Sequence, residues 1–407
     1  MIYAGATWRG SPSRGTILNV DHLYPSSPLT ELTLDDLRRR RSAKWREYPE
    51  DVLPLWVAEM DTPLAPPIAE ALTTALRLGD TGYVNKGTFA EAFCEFALAR
   101  FGWTVGPERC AVVPDVMAGI DAVLDLVTAP GDGVVISTPS YPPFFSFLAL
   151  AGRQVVEAPL GRMYSGGYEL DLDRLASEFA RSDVTACLLS NPHNPTGLVF
   201  SRDELLAIGG LAQRYSIRLL VDEIHAPLVY AGTAHTPILA LADESEAAAR
   251  AFVVTSASKA WNLPGLKAAL VVAGPEASLE AVPFEVFMGT GLFGVIASEV
   301  AYRSGGPWLD SLLAGLDANR SLLGELLASA LPDVGYRPPA ATYLAWLDCR
   351  RLGLGDDPAA AFLERGRVAL SPGPRFGELG RGFARLNFAT SPEILTEAVA
   401  RLAAVTP

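Results

Sequence analysis

Lys259 is the residue of this chain with the most chemistry to offer. It closes the stretch Val253-Val254-Thr255-Ser256-Ala257-Ser258-Lys259, a β-branched apolar run followed by small hydroxyl residues. An amine held at the mouth of a buried sheet can form a Schiff base once apolar surroundings or a neighbouring cation lower its pKa. Taken alone, a surface lysine after an edge strand fits the stretch better, but three further stretches change that balance. Each couples an apolar run to a polar turn: 133–137 leads to Tyr141, 186–190 to Asn194, and 219–221 to Asp222 and His225. Tyrosine, asparagine, aspartate, histidine and lysine thus all follow the ends of apolar runs.

The elements that must position them follow from the pattern. Near-continuous apolar runs separated by helix-length segments predict a parallel sheet buried on both faces. In such sheets ligands sit outside the carboxyl ends of the strands, so all five side chains reach one edge. The set suits pyridoxal 5'-phosphate (PLP). The lysine holds the aldehyde carbon, a buried aspartate keeps the pyridine nitrogen protonated, asparagine bonds the ring oxygen and an aromatic ring stacks on the pyridine.

The ordered series Asn191-Pro192-His193-Asn194-Pro195-Thr196-Gly197, Asp222-Glu223-Ile224-His225 and Ser256-Ala257-Ser258-Lys259 resembles the fold-type I PLP enzymes, the aminotransferase class I/II superfamily. Lys44-Trp45, the segment 53–61, the segment 261–266 and Gly382-Phe383-Ala384-Arg385-Leu386-Asn387 resemble its cystathionine β-lyase / C–S lyase branch, the MalY/PatB-like proteins. That resemblance implies an α/β fold, with a large domain built on a mostly parallel seven-stranded sheet and a smaller α/β domain. It implies an arm at 1–28, a small domain from 29–56 and 295–407, and a large PLP-binding domain at 57–294.

It also implies roles. Lys259 is the catalytic lysine. Val116 and Met117 supply backbone N–H groups to the cofactor phosphate, with Ser256 and Lys267 beside them, and Tyr83 reaches across a homodimer interface to the partner's cofactor. Tyr141 stacks on the pyridine, and His225 supports Asn194 or tunes the lysine. Arg385 and Asn194 hold the substrate carboxylate near the backbone of Val57 and Ala58. Arg385 also stands out without the resemblance: a charge in the apolar strand 383–386 is costly unless paired, and a guanidinium fork matches a carboxylate, from the substrate or from the protein itself. The activity implied is α,β-elimination on cystathionine or another cysteine S-conjugate. The alternatives are an aminotransferase, or a specialised secondary-metabolism enzyme for one S-conjugate, for which Glu59, Trp261 and Ala226-Pro227 leave room.

Composition bounds the rest. The 407 residues are 49% hydrophobic and 19% charged, enough for two cores. A net charge of −13 argues against a nucleic-acid partner. Four scattered cysteines and four histidines suggest reduced thiols in a cytoplasmic protein and no metal site. The Gly/Ser/Pro-rich lead is no signal peptide, and the apolar region 286–298 is too short to span a membrane. Four arginines, Arg38 to Arg41, end the helix that begins near Thr33 and read as a solvated helix terminus. One long helical stretch is expected over 295–331.

Overall fold

The computed structural model describes residues 27–85, 87–163 and 167–405; most of the expected N-terminal arm lies outside them. Its centre is a seven-stranded sheet. In chain order the strands are β1 (Cys110–Val113), β2 (Gly133–Thr138), β3 (Gln154–Pro159), β4 (Val184–Ser190), β5 (Arg218–Asp222), β6 (Phe252–Thr255) and β7 (Ala269–Ala273). Their spatial order is β1-β7-β6-β5-β4-β2-β3. Only β7 runs antiparallel to its neighbours, β1 and β6. The four apolar runs read from the sequence are the contiguous block β6-β5-β4-β2.

These runs are apolar throughout because both faces are covered. Alternate residues feed two separate cores: Val134 and Ile136 pack with Leu188, Leu220 and Val254, whereas Val135 packs with Cys187, Leu219 and Val253. The intervening helices show the end signals expected of them. Ser201 forms a capping box with Glu204 ahead of the Arg202–Tyr215 helix. Gly79, at φ 67°, stops the Pro66–Leu78 helix, a left-handed position that costs glycine little.

A smaller antiparallel sheet carries the C-terminal part: β8 (Leu344–Asp348), β9 (Ser371–Pro372) and β10 (Phe383–Asn387), in the order β8-β10-β9. The helical stretch expected over 295–331 is two helices, Leu292–Ser304 and Gly306–Ala330. The break falls at Gly305-Gly306-Pro307, where a proline opens the second helix and cannot carry on the first. At Gly305 a Cβ would lie 2.4 Å from Trp261 Nε1 and 2.5 Å from Ala301 O, and the Gly305 carbonyl accepts a hydrogen bond from that indole. Among the described residues no helix is long and apolar enough to cross a membrane.

Candidate active site

Strand register sets the floor of the site. Ser190, Asp222 and Val254 stand level on β4, β5 and β6. The chain leaving each strand places Asn194, His225 and Lys259 around one pocket of about 840 Å3, including its open mouth. Val116, Met117, Tyr141, Ser256, Lys267 and Ala58 line the same pocket, so nearly all the residues expected from the sequence converge there.

The Lys259 amine donates a 3.2 Å hydrogen bond to the Ala58 carbonyl. Burial, reinforced by the Arg385 charge, lowers its pKa to about 8, against the opposing pull of Asp222 and Glu59. Asp222 Oδ1 accepts the Ile224 N–H at 3.0 Å. Burial still raises the Asp222 carboxyl to about 7. His225 is driven the other way, to about 3, by burial and then by Lys259 and Arg385, so its imidazole is neutral. His225 Nδ1 is buried without a hydrogen-bond partner, which is not the condition of a satisfied structural histidine. Nor does it hold Asn194; Arg385 does. His193 is a turn residue, bonded to Thr196 Oγ1 at 3.0 Å and the Ser137 carbonyl at 3.2 Å.

The phosphate end is a helix N-terminus. Val116 and Met117 open the Val116–Val127 helix, whose N-cap Asp115 accepts from Ala118 N at 2.9 Å. Lys267 stands beside it with Nζ 2.9 Å from Asp115 Oδ2. Ser256 is less available than expected. Its hydroxyl donates to Ala268 O at 2.7 Å and accepts from Ser258 N at 3.1 Å, which knits the turn before the lysine. Ser258, to which the sequence reading gave no role, lines the pocket as well.

Arg385 on β10 lies behind Asn194, with 5% of its surface exposed. It donates to Asn194 Oδ1 at 2.9 Å, to the Trp56 carbonyl at 3.1 Å and to Ser371 Oγ at 3.1 Å. Its Nε has no partner, and no carboxylate among the described residues pairs with it. An internal salt bridge, the competing expectation, is therefore not formed. Burial lowers the guanidinium to about 10, a measure of how poorly its charge is compensated.

Segment 57–61 brings Ala58 to the pocket wall, and it is held chiefly through its carbonyls. Asn387 Nδ2 donates to Val57 O at 2.8 Å and to Glu59 O at 2.7 Å. The Tyr343 hydroxyl donates to Ala58 O at 3.1 Å, beside Lys259. Asn262 brackets Met60, accepting from its N–H at 2.9 Å and donating to its carbonyl at 2.8 Å. The Lys44-Trp45 motif anchors the end: Lys44 Nζ is 2.8 Å from Asp61 Oδ2, both side chains being buried, and Trp45 Nε1 donates to Asp61 Oδ1 at 3.0 Å. Arg40, expected to be a solvated helix end, donates to the Met60 carbonyl at 3.1 Å and also to the Thr62 carbonyl. Tyr343 had no signal in sequence, since it acts through a partner 285 residues away; Asp115 carried the signal of an N-cap before a helix, but not its pairing with Lys267. Tyr83 is not brought to the pocket of its own chain; it is 88% exposed.

Sheet order and site together define the fold-type I architecture. The model of the aminotransferase class I and II family matches residues 50–402, and the chain belongs to that family. Cystathionine beta-lyase of Corynebacterium glutamicum is 36% identical over 381 residues, covering 91% of this chain and 98% of that protein. Cystathionine beta-lyase PatB of Bacillus subtilis is 34% identical, covering 89% and 96%. The PLP-bound C-S lyase from Staphylococcus hominis superposes with a TM-score of 0.85 at 26% identity, covering 93% of this chain and all of that one.

Proposed function

We propose that this chain is a PLP-dependent C–S lyase, eliminating a thiol from cystathionine or another cysteine S-conjugate and leaving pyruvate and ammonia. The observation that carries amino-acid chemistry is Arg385: a buried guanidinium with an unpartnered Nε, one hydrogen bond behind the lysine pocket. The lyase assignment is supported by the C. glutamicum, B. subtilis and S. hominis relatives.

The residues fit the cofactor. The Lys259 amine, its pKa lowered by burial and Arg385, is available to its aldehyde carbon, the free oxygen of Asp222 to its ring nitrogen, the Asn194 amide to its ring oxygen and the Tyr141 ring to its face. The first N–H groups of the Val116–Val127 helix, the Ser258 hydroxyl and the Lys267 ammonium suit its phosphate. Bound there, PLP supplies an electron sink for the electron pair released at the substrate Cα. Arg385 and Asn194 grip the substrate carboxylate. With PLP held there, Lys259 would be placed to take the substrate Cα proton as general base. Asp222 ionises against the ring nitrogen, and the thiolate departs from Cβ. Tyr83, with Leu76 and Leu78 at 61% and 77% exposure, supports a homodimer in which that tyrosine reaches the partner's phosphate. Four free thiols support a cytoplasmic location.

The test is a product assay on purified holoenzyme with cystathionine, cystine and an S-alkylcysteine, with and without a keto-acid acceptor. The expected result is pyruvate, ammonia and free thiol without acceptor. Turnover only with acceptor, yielding a new amino acid, makes the protein an aminotransferase and overturns the lyase reading.

A further inference from the structure

A second, wider cavity of about 1340 Å3, including its open mouth, adjoins the lysine pocket and shares Ala58, Lys259 and Pro264 with it. Its wall includes Arg40 and Arg41, in the turn between the Leu34–Arg38 and Ala43–Arg46 helices, together with Glu59. The charges here are not equivalent. Arg40 is fixed as a brace on Met60 and Thr62. Glu59 Oε1 is occupied by the Ser42 hydroxyl at 2.5 Å. Lys259 is committed to the chemistry. Arg41 lines the cavity without a hydrogen bond or ion pair to any described residue. A cation left unpaired in a chain of net charge −13, on the wall of a cavity that Lys259 also lines, is placed to meet an anion that arrives with the substrate.

Resting on the lyase reading above, we infer that Arg41 binds a carboxylate at the far end of the substrate's S-substituent, so that the preferred substrates are cysteine thioethers whose leaving thiol is itself an acid. The two guanidinium groups divide the work. Arg385, buried, takes the carboxylate of the cysteine half. Arg41, at the cavity wall, takes that of the departing half and releases it with the thiol. A planar fork suits either carboxylate.

The experiment compares S-(3-carboxypropyl)cysteine with S-butylcysteine, of nearly equal length, on wild-type holoenzyme and on Arg41→Gln and Arg41→Lys. The readout is the ratio of kcat/KM for the two substrates, which is independent of the fraction of enzyme that is active. Wild type should favour the carboxylate about threefold to fivefold, as one exposed ion pair allows. Arg41→Gln should bring the ratio towards one, and Arg41→Lys should keep part of it. A wild-type ratio near one, or a ratio unchanged in Arg41→Gln, overturns the inference while leaving an active lyase. No pyruvate from any S-conjugate with wild type overturns the lyase reading, and this inference with it.

Discussion

Removing the Arg385 charge should change the chemistry of a different residue, Lys259. At its usual value of 10.5 a lysine is neutral in about one molecule in three thousand at pH 7; at about 8 the figure is about one in eleven. The pocket therefore raises the reactive fraction roughly 300-fold. Burial is the larger cause and the Arg385 cation the next. Arg385→Gln keeps a side chain that can still donate to Asn194 but deletes the charge, so the Lys259 pKa must move up. The assay is the rate at which cofactor-free enzyme takes up pyridoxal, followed by absorbance from pH 6 to 10. Pyridoxal lacks the phosphate, whose own titration would blur the profile. In wild type the rate should climb about tenfold per pH unit below 8 and flatten above it. In Arg385→Gln the bend should lie at higher pH, and the rate at pH 7 should be lower although no contact to the aldehyde is lost. A wild-type rate still climbing through pH 10, or a bend unmoved by Arg385→Gln, would refute the electrostatic reasoning.

Two further outcomes follow from single contacts. Lys44→Met leaves the Asp61 carboxylate buried without its cation and should destabilise the protein by about 3–5 kcal/mol, whereas Lys44→Met/Asp61→Leu should recover much of that; urea midpoints compare them, and a double variant as weak as the single would count against a true buried pair. Lys267→Ala removes one half-exposed cation from the phosphate end and should weaken PLP binding roughly fivefold to tenfold in a fluorescence titration, with Lys267→Arg close to wild type; no change would remove Lys267 from the cradle.

What was legible in the sequence and what was not divides along a physical line. A parallel strand buried on both faces must be apolar along its whole length, so β2, β4, β5 and β6 announce themselves, and the polar residue that follows each one marks the sheet edge. Lys259, Asp222 and Asn194 were readable for that reason. Contacts that depend on segments meeting across the fold leave no such trace. The Ala58 carbonyl is shared by Lys259 and Tyr343, which lie 201 and 285 residues away in sequence. Arg385 reaches a backbone carbonyl 329 residues back. The same gap misread the Arg40 brace, taken for a solvated charge; the helix break at Gly305-Gly306-Pro307 did carry a local signal, which the sequence reading passed over.

The charge balance of the pocket bears on the order of events. Arg385 reaches the site without a carboxylate, His225 is held neutral, and Lys267 is already matched by Asp115. In that state the Arg385 cation lowers the basicity of Lys259, which favours the neutral amine needed to bond an aldehyde carbon. On the proposed function, a substrate carboxylate on Arg385 would cancel much of that field. The Lys259 pKa must then rise, because one of the two leading causes of its depression has been neutralised. An amine that is unprotonated at that stage would then be a stronger base towards the Cα proton. A protein carboxylate paired with Arg385 would fix the field at one value and lose this difference. With no carboxylate among the described residues paired to Arg385, substrate binding on the proposed function would retune the base.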